Sequence, residues 1–115
     1  MTVVELPARG YFDFMHGFRS YQLSVNFFRV CSGHRLSGEL SEQLARASSS
    51  IVLNLAEGFG RGSSKDQARC YQIALGSLRE CQAVLVLGHE NDPVTLDLAD
   101  ALGAHIFKLI RAKRQ

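Results

Sequence analysis

The sequence has little proline, and this scarcity is the first guide to its fold. Only Pro7 and Pro93 occur in the 115 residues, so residues 8–92 contain none. Proline ends or kinks helices, and folds built from many short strands usually carry it at their turns. The long stretch without proline therefore favours long helices over a many-stranded β-fold.

Long hydrophobic runs are also missing. No window of about 18 uninterrupted apolar residues occurs, so the sequence predicts no membrane-spanning helix. The opening MTVVELPARG lacks a basic stretch followed by an apolar core, so no signal peptide is expected. Three cysteines, Cys31, Cys70 and Cys81, have no framework spacing, which favours free thiols in a reducing cytoplasm.

Neither sign of charge dominates the chain. The net charge is +2 and the pI is about 8.6, which permits a nucleic-acid partner but does not demand one. An apolar content of 46% together with seven phenylalanines argues against disorder. The length fits one globular domain.

Apolar residues recur at alternating steps of three and four in four segments, which is the spacing of one helix face. We expect an N-terminal arm over residues 1–12 and a single domain over 13–115. The four predicted helices span approximately residues 13–35, 38–61, 64–88 and 93–113. Short connections make neighbouring helices antiparallel, so the predicted fold is an all-α, up-down-up-down four-helix bundle.

Polar residues at the predicted breaks support these boundaries. Ser37 or Gly38 is a candidate cap for the second helix, and Ser64 with Gln67 has the capping-box spacing for the third. Asp92 is positioned to cap the fourth helix, with proline at its first helical position, where proline is tolerated.

The first predicted helix carries two apolar stripes. The first comprises Phe14, Phe18, Tyr21, Val25 and Phe28, and the second comprises Leu23, Phe27, Val30 and Cys31. A helix that is apolar on two faces needs more cover than one antiparallel neighbour provides. The two stripes therefore predict a further contact for this helix.

Two segments carry a family resemblance. Residues 50–61 read SIVLNLAEGFGR, and residues 73–80 read IALGSLRE. The first resembles the SI-x-x-NIAEG-x-GR signature of the four-helix-bundle family encoded in 23S rRNA intervening sequences. The second is similar to the IA-x-GSL-x-E element of that family. Both occur in the family's order, and the predicted helices extend the resemblance to most of the chain.

The resemblance implies a cytoplasmic bacterial protein with a left-handed up-down bundle that assembles into a closed homo-oligomeric ring of five copies. A branch of similar fold, the accessory proteins of diversity-generating retroelements, works with a reverse transcriptase and nucleic acid. This chain departs from the family at Ala45-Arg46, where two adjacent basic residues are common. It also departs at Cys70 and Cys81, where other residues are commoner.

The glycine-rich run GFGRGSSK, residues 58–65, invites a phosphate-loop interpretation. The pattern GxxxxGK[ST] requires glycine where Ser63 stands and follows a strand, whereas this run follows a predicted helix. The glycines are better explained as ending one helix and letting the next pack closely. Free N–H groups at the start of the third helix could still hold a phosphate oxygen without catalysis.

Patterns for metal sites and catalysis are incomplete. Cys31 and His34 have CxxH spacing, but the second pair of ligands that zinc needs is absent. No histidine follows a glutamate by three residues, which excludes the di-iron arrangement of helical bundles. The serines at 48–50 have no GxSxG elbow. We therefore predict no metal, no cofactor and no catalytic residue, and expect the protein not to be an enzyme.

Glu57 with Asn54 and Arg61 forms a polar cluster on a largely apolar helix. Charge-assisted hydrogen bonds there would fix the register of helices or subunits. A hydrolytic acid at Glu57 is the alternative.

The positive charges are the remaining functional signal. The candidate nucleic-acid contacts are Arg46, Arg61, Lys65, Arg69, Lys108, Arg111, Lys113 and Arg114. In a ring each charge is repeated, and phosphate binding strengthens with the number of contacts. The sequence thus predicts a non-enzymatic homo-oligomer that binds RNA or other nucleic acid. The rival is a scaffold that docks a partner enzyme or ribonucleoprotein through apolar surfaces.

Overall fold

The computed structural model describes residues 8–113, with side chains from residue 17 onward. Within this range it contains four α-helices and no strand: α1 (Ala8–Ser32), α2 (Gly38–Gly60), α3 (Ser64–Leu87) and α4 (Pro93–Lys113). The predicted all-α class with four helices is confirmed. The first seven residues of the expected arm, the side chain of Phe14 and the predicted contact Arg114 lie outside the described residues.

α1 differs most from its predicted bounds. It begins at Ala8, so residues 8–12 belong to the helix and not to an arm. Nothing after Pro7 removes a backbone donor, and one glycine in this stretch is tolerated within a helix. The helix ends at Ser32, three residues early, because Gly33 and His34 turn back and donate to the carbonyls of Val30 and Cys31.

The caps of the other helices follow the sequence closely, with one correction. Ser37 is the N-cap residue of α2 but makes no side-chain capping bond. Ser63, not Ser64, caps α3, since its hydroxyl accepts the backbone N–H of Asp66 at 3.1 Å. The predicted pairing with Gln67 was wrong by one residue because two adjacent serines both fit the pattern. Asp92 caps α4 as predicted and accepts the Thr95 N–H at 3.3 Å.

Each helix packs against two others, and the core lies between them. α1 contacts α2 and α4, and α3 contacts the same two helices. α2, α3 and α4 each bury one apolar face in this core. Its largest members are Phe27, Ile51, Leu55, Tyr71, Leu78, Leu85, Leu102 and Ile106. None of the helices in residues 8–113 has the length and apolarity needed to cross a bilayer.

α1 faces its own bundle with its less apolar side. Ser20 and Ser24 are fully buried beside Phe27, which belongs to the second stripe. Small side chains at a helix contact allow close packing, and the Ser24 hydroxyl is satisfied by the Tyr21 carbonyl at 2.7 Å. The described side chains of the first stripe, Phe18, Tyr21, Val25 and Phe28, therefore lie outside the buried core of the chain.

Candidate functional site

The junction of α2 and α3 is held by a close approach at Gly58. A Cβ atom at this position would lie 2.5 Å from a ring carbon of the buried Tyr71 and 3.1 Å from the Cβ of Cys70. Only glycine lets the two helices meet at this distance. Gly60 and Gly62 have open space around them. Of the three glycines, only Gly58 is therefore explained by close packing.

The polar cluster predicted within residues 50–61 divides into two groups. Asn54 donates to the carbonyl oxygen of Ser50 at 2.8 Å and to its hydroxyl at 3.1 Å. The Ser50 hydroxyl is also 2.8 Å from that of Ser77 on α3. These hydrogen bonds connect Asn54 to α3 through the Ser50 hydroxyl.

Glu57 and Arg61 form the second group. Their side chains make an ion pair across one helical turn, at the end of α2. Both are about half exposed, and hydrogen bonding to Glu57 raises the pKa of Arg61. The Arg61 guanidinium thus occupies one oxygen of the Glu57 carboxylate.

A small pocket of about 140 Å³ opens beside this pair. Its walls are formed by Asn54, Glu57, Arg61, Asp66, Arg69, Cys70 and Ile73. Two arginines face two carboxylates, so the lining has no net charge. The pocket brings together two predicted cations, Arg61 and Arg69, but it does not form a concentrated anion site.

The side chains predicted to contact phosphate differ in whether an acidic group already pairs with them. Arg46 pairs with Glu80 of α3 as Arg61 pairs with Glu57, so both cations are already partly neutralised. The structure places Lys113 in the last turn of α4, with its side chain half-buried and engaged in an interaction. The predicted contacts within residues 17–113 that are exposed and have no acidic group within ion-pair distance are Lys65, Arg69, Lys108 and Arg111.

The three cysteines are free and buried. Burial raises the pKa of Cys31 and of Cys81 to about 12, so both thiols stay protonated at neutral pH. Protonated thiols are poor metal ligands and poor nucleophiles. No group of three or more metal-ligating side chains occurs among the residues described.

A polar network that the sequence did not reveal lies between the α1–α2 and α3–α4 connections. His34 Nδ1 is 3.1 Å from a carboxylate oxygen of Glu90, and its Nε2 is 2.8 Å from the hydroxyl of Thr95. The same hydroxyl donates to Asp92 at 2.9 Å. The only signal in the sequence was the cap at Asp92, since the partners are far apart along the chain.

Apolar side chains that are exposed or only partly buried lie next to one another on α1 and α2. We define the outer apolar face as Phe18, Tyr21, Val25, Phe28, Val52 and Leu53. A groove of about 340 Å³ runs between the two helices and is lined by Val25, Phe28, Val52 and Leu53 together with Arg29 and Ser49. A second groove continues it along α1 past Phe18 and Tyr21.

The fold and these surfaces define a class of small four-helix proteins whose exposed features are an apolar face and scattered cations. The family model for the 23S rRNA-intervening sequence protein matches residues 18–112. The chain belongs to this family, which confirms the resemblance carried by residues 50–61 and 73–80. No curated protein and no solved structure matches the chain.

Proposed function

We propose that the protein is a non-enzymatic cytoplasmic four-helix protein that assembles into a homo-oligomer through the outer apolar face. The observation that supports this proposal most directly is the orientation of α1, which buries Ser20 and Ser24 while Phe18 and Tyr21 remain exposed. Large exposed apolar patches mark interaction sites on soluble proteins. We infer that a second copy of the chain covers this face, and the resemblance implies a closed ring of five.

The topology proposed for each copy is up-down-up-down. Along α2 and α3, contacts join Arg46 to Glu80 and Gly58 to Tyr71, so the numbers rise on one helix as they fall on the other. The side chain of Leu78 lies against Gly103, in the middle of α3 and α4. A short connection between those helices then makes them antiparallel as well.

This topology gathers four of the predicted cations at one end of the bundle. The start of α3, with Lys65 and Arg69, lies at the same end as the last turns of α4, with Lys108 and Arg111. In a closed ring the four cations repeat with every copy, and each phosphate contact adds to polyanion binding. We therefore propose RNA or single-stranded nucleic acid as the ligand of the assembly, bound with weak sequence preference.

A salt series tests the nucleic-acid proposal. Binding of a single-stranded RNA is expected to weaken steeply with salt. Replacing Lys65 by alanine should reduce the slope of log K against log salt by about 0.7 for each phosphate that the protein no longer neutralises. Arg46→Ala is the matched control, because it removes a charge that Glu80 already neutralises, and it should change the slope less.

The rival is a scaffold that docks a protein partner without touching nucleic acid. It is favoured by a second exposed apolar group, Val86, Leu87 and Val94, near the α3–α4 connection. Absence of RNA binding at about 50 mM salt, where phosphate contacts are strong, would remove the nucleic-acid proposal and promote this one.

A further inference from the structure

The N–H and O–H groups around His34 determine which of its contacts can be hydrogen bonds at the same time. The threonine hydroxyl of Thr95 has one proton, and it donates this proton to Asp92 at 2.9 Å. This oxygen can then only accept from the imidazole Nε2, 2.8 Å away. The other ring nitrogen faces a Glu90 oxygen at 3.1 Å, and a carboxylate is acceptor-only when ionised.

All three contacts are satisfied only when the imidazole of His34 carries a proton on each nitrogen. A neutral ring has one N–H and one lone pair. If Nδ1 loses its proton, a lone pair faces the Glu90 carboxylate. If Nε2 loses its proton, the Thr95 hydroxyl can hydrogen-bond to the ring only by donating its one proton there, and its hydrogen bond to Asp92 is then lost. Hydrogen bonding to Thr95 lowers the pKa of Asp92, which keeps that carboxyl an ionised acceptor.

The position of Glu90 is set by an unusual turn. His89 has a φ of 59°, in the left-handed region that most residues other than glycine avoid. It allows the Glu90 N–H to reach the Leu85 carbonyl at 2.8 Å, while its own N–H reaches Val86 at 3.1 Å. These are the two bonds of a Schellman motif. The end of α3 thereby directs Glu90 toward the imidazole at some cost in backbone strain.

We propose that His34 is a proton-operated clasp between the two connections at this end of the bundle. With both nitrogens protonated it ties the α1–α2 connection to Glu90 and to the first turn of α4 through Thr95. Loss of one proton releases one of these contacts and loosens the α3–α4 connection. That connection lies between the exposed apolar residues Val86, Leu87 and Val94, so the clasp controls how firmly this surface is held.

Ionisable groups from several elements lie around the imidazole. Glu90 approaches from the α3–α4 connection, and Asp92 acts through the hydroxyl at the start of α4. α2 carries Glu39 in its exposed first turn. On the imidazole's own segment, Cys31 is a neutral thiol and Arg35 is exposed. Because the three contacts form together only when both ring nitrogens are protonated, protonation closes the clasp and loss of a proton opens it.

Hydrogen exchange of the assembled protein tests the clasp. The backbone amides of residues 90–92 and 94–96 are expected to lose at least tenfold in protection, corrected for intrinsic exchange, between pH 5.5 and pH 8.0. In His34→Gln, which cannot gain a second N–H by protonation, protection should no longer depend on pH. His89→Asn is the control, because it removes the neighbouring imidazole yet keeps a residue that tolerates a positive φ, and it should retain the full pH effect.

Two results would overturn the proposal. One is wild-type protection that is equal at both pH values, and the other is a pH effect that persists in His34→Gln. Nitrogen NMR of the wild-type imidazole gives an independent readout if that variant does not fold. Two protonated ring nitrogens at pH 5.5 support the clasp, whereas a neutral tautomer at that pH excludes it.

Discussion

Replacing Leu53 by glutamate is expected to convert the assembled protein into single chains. The side chain is 66% exposed in the isolated chain and borders the groove between α1 and α2, so the fold of one copy should tolerate the change. In the assembly the carboxylate would be buried among apolar groups without a partner. The penalty for an unpaired buried charge is several kcal/mol for each ion, and it recurs at every interface.

The control for this prediction is Val86→Glu. Val86 is 72% exposed and lies on α3, outside the outer apolar face, so the same chemical change should leave the assembly intact. Sedimentation of both variants at equal concentration gives the answer. An unchanged mass for Leu53→Glu would mean that this face is not an interface between copies.

Replacing Gly58 by alanine is expected to destabilise the fold by about 1–3 kcal/mol, the usual cost of adding volume to a packed core. The new Cβ would meet the ring of Tyr71 at 2.5 Å, and this ring is only 2% exposed and has little room to move. Alanine is otherwise better than glycine inside a helix by about 0.5–1 kcal/mol. Helix propensity alone would make this variant more stable. A loss of stability would therefore be due to the close approach of α2 and α3.

Gly76→Ala is the matched control for this substitution. Gly76 lies within α3, and nothing is within 4 Å of the position its Cβ would take, so the change should stabilise by about 0.5–1 kcal/mol. Urea unfolding at one fixed protein concentration compares the two variants with the wild type, since assembly makes stability depend on concentration. A gain of stability in both would contradict the packing assigned to Gly58.

The sequence predicts α2, α3 and α4 well because their signals are local. Each begins after a capping or turn residue, and each buries one apolar face at helical spacing, such as Leu44, Ile51 and Leu55 on α2. Predicting α1 is harder. Its two apolar stripes cannot be ranked by periodicity, and the buried Ser20 and Ser24 do not look like core residues in a sequence.

The candidate site is less predictable because its contacts join residues distant in the chain. The sequence presents Arg46 as a free cation, but Glu80, on the next helix, neutralises it. The His34 network depends on where two connections meet, which no spacing rule specifies. Arg61 and Glu57, by contrast, are four residues apart at the end of α2, so their spacing alone groups them correctly.

Hydroxyl-radical footprinting of the purified wild-type protein tests most directly whether a second copy covers the outer apolar face. Leu53 and Val86 are exposed to a similar degree in the single chain, at 66% and 72%, and both are aliphatic. If copies assemble through this face, Leu53 will be oxidised far more slowly than Val86. Equal rates of oxidation at the two positions would contradict the proposed assembly.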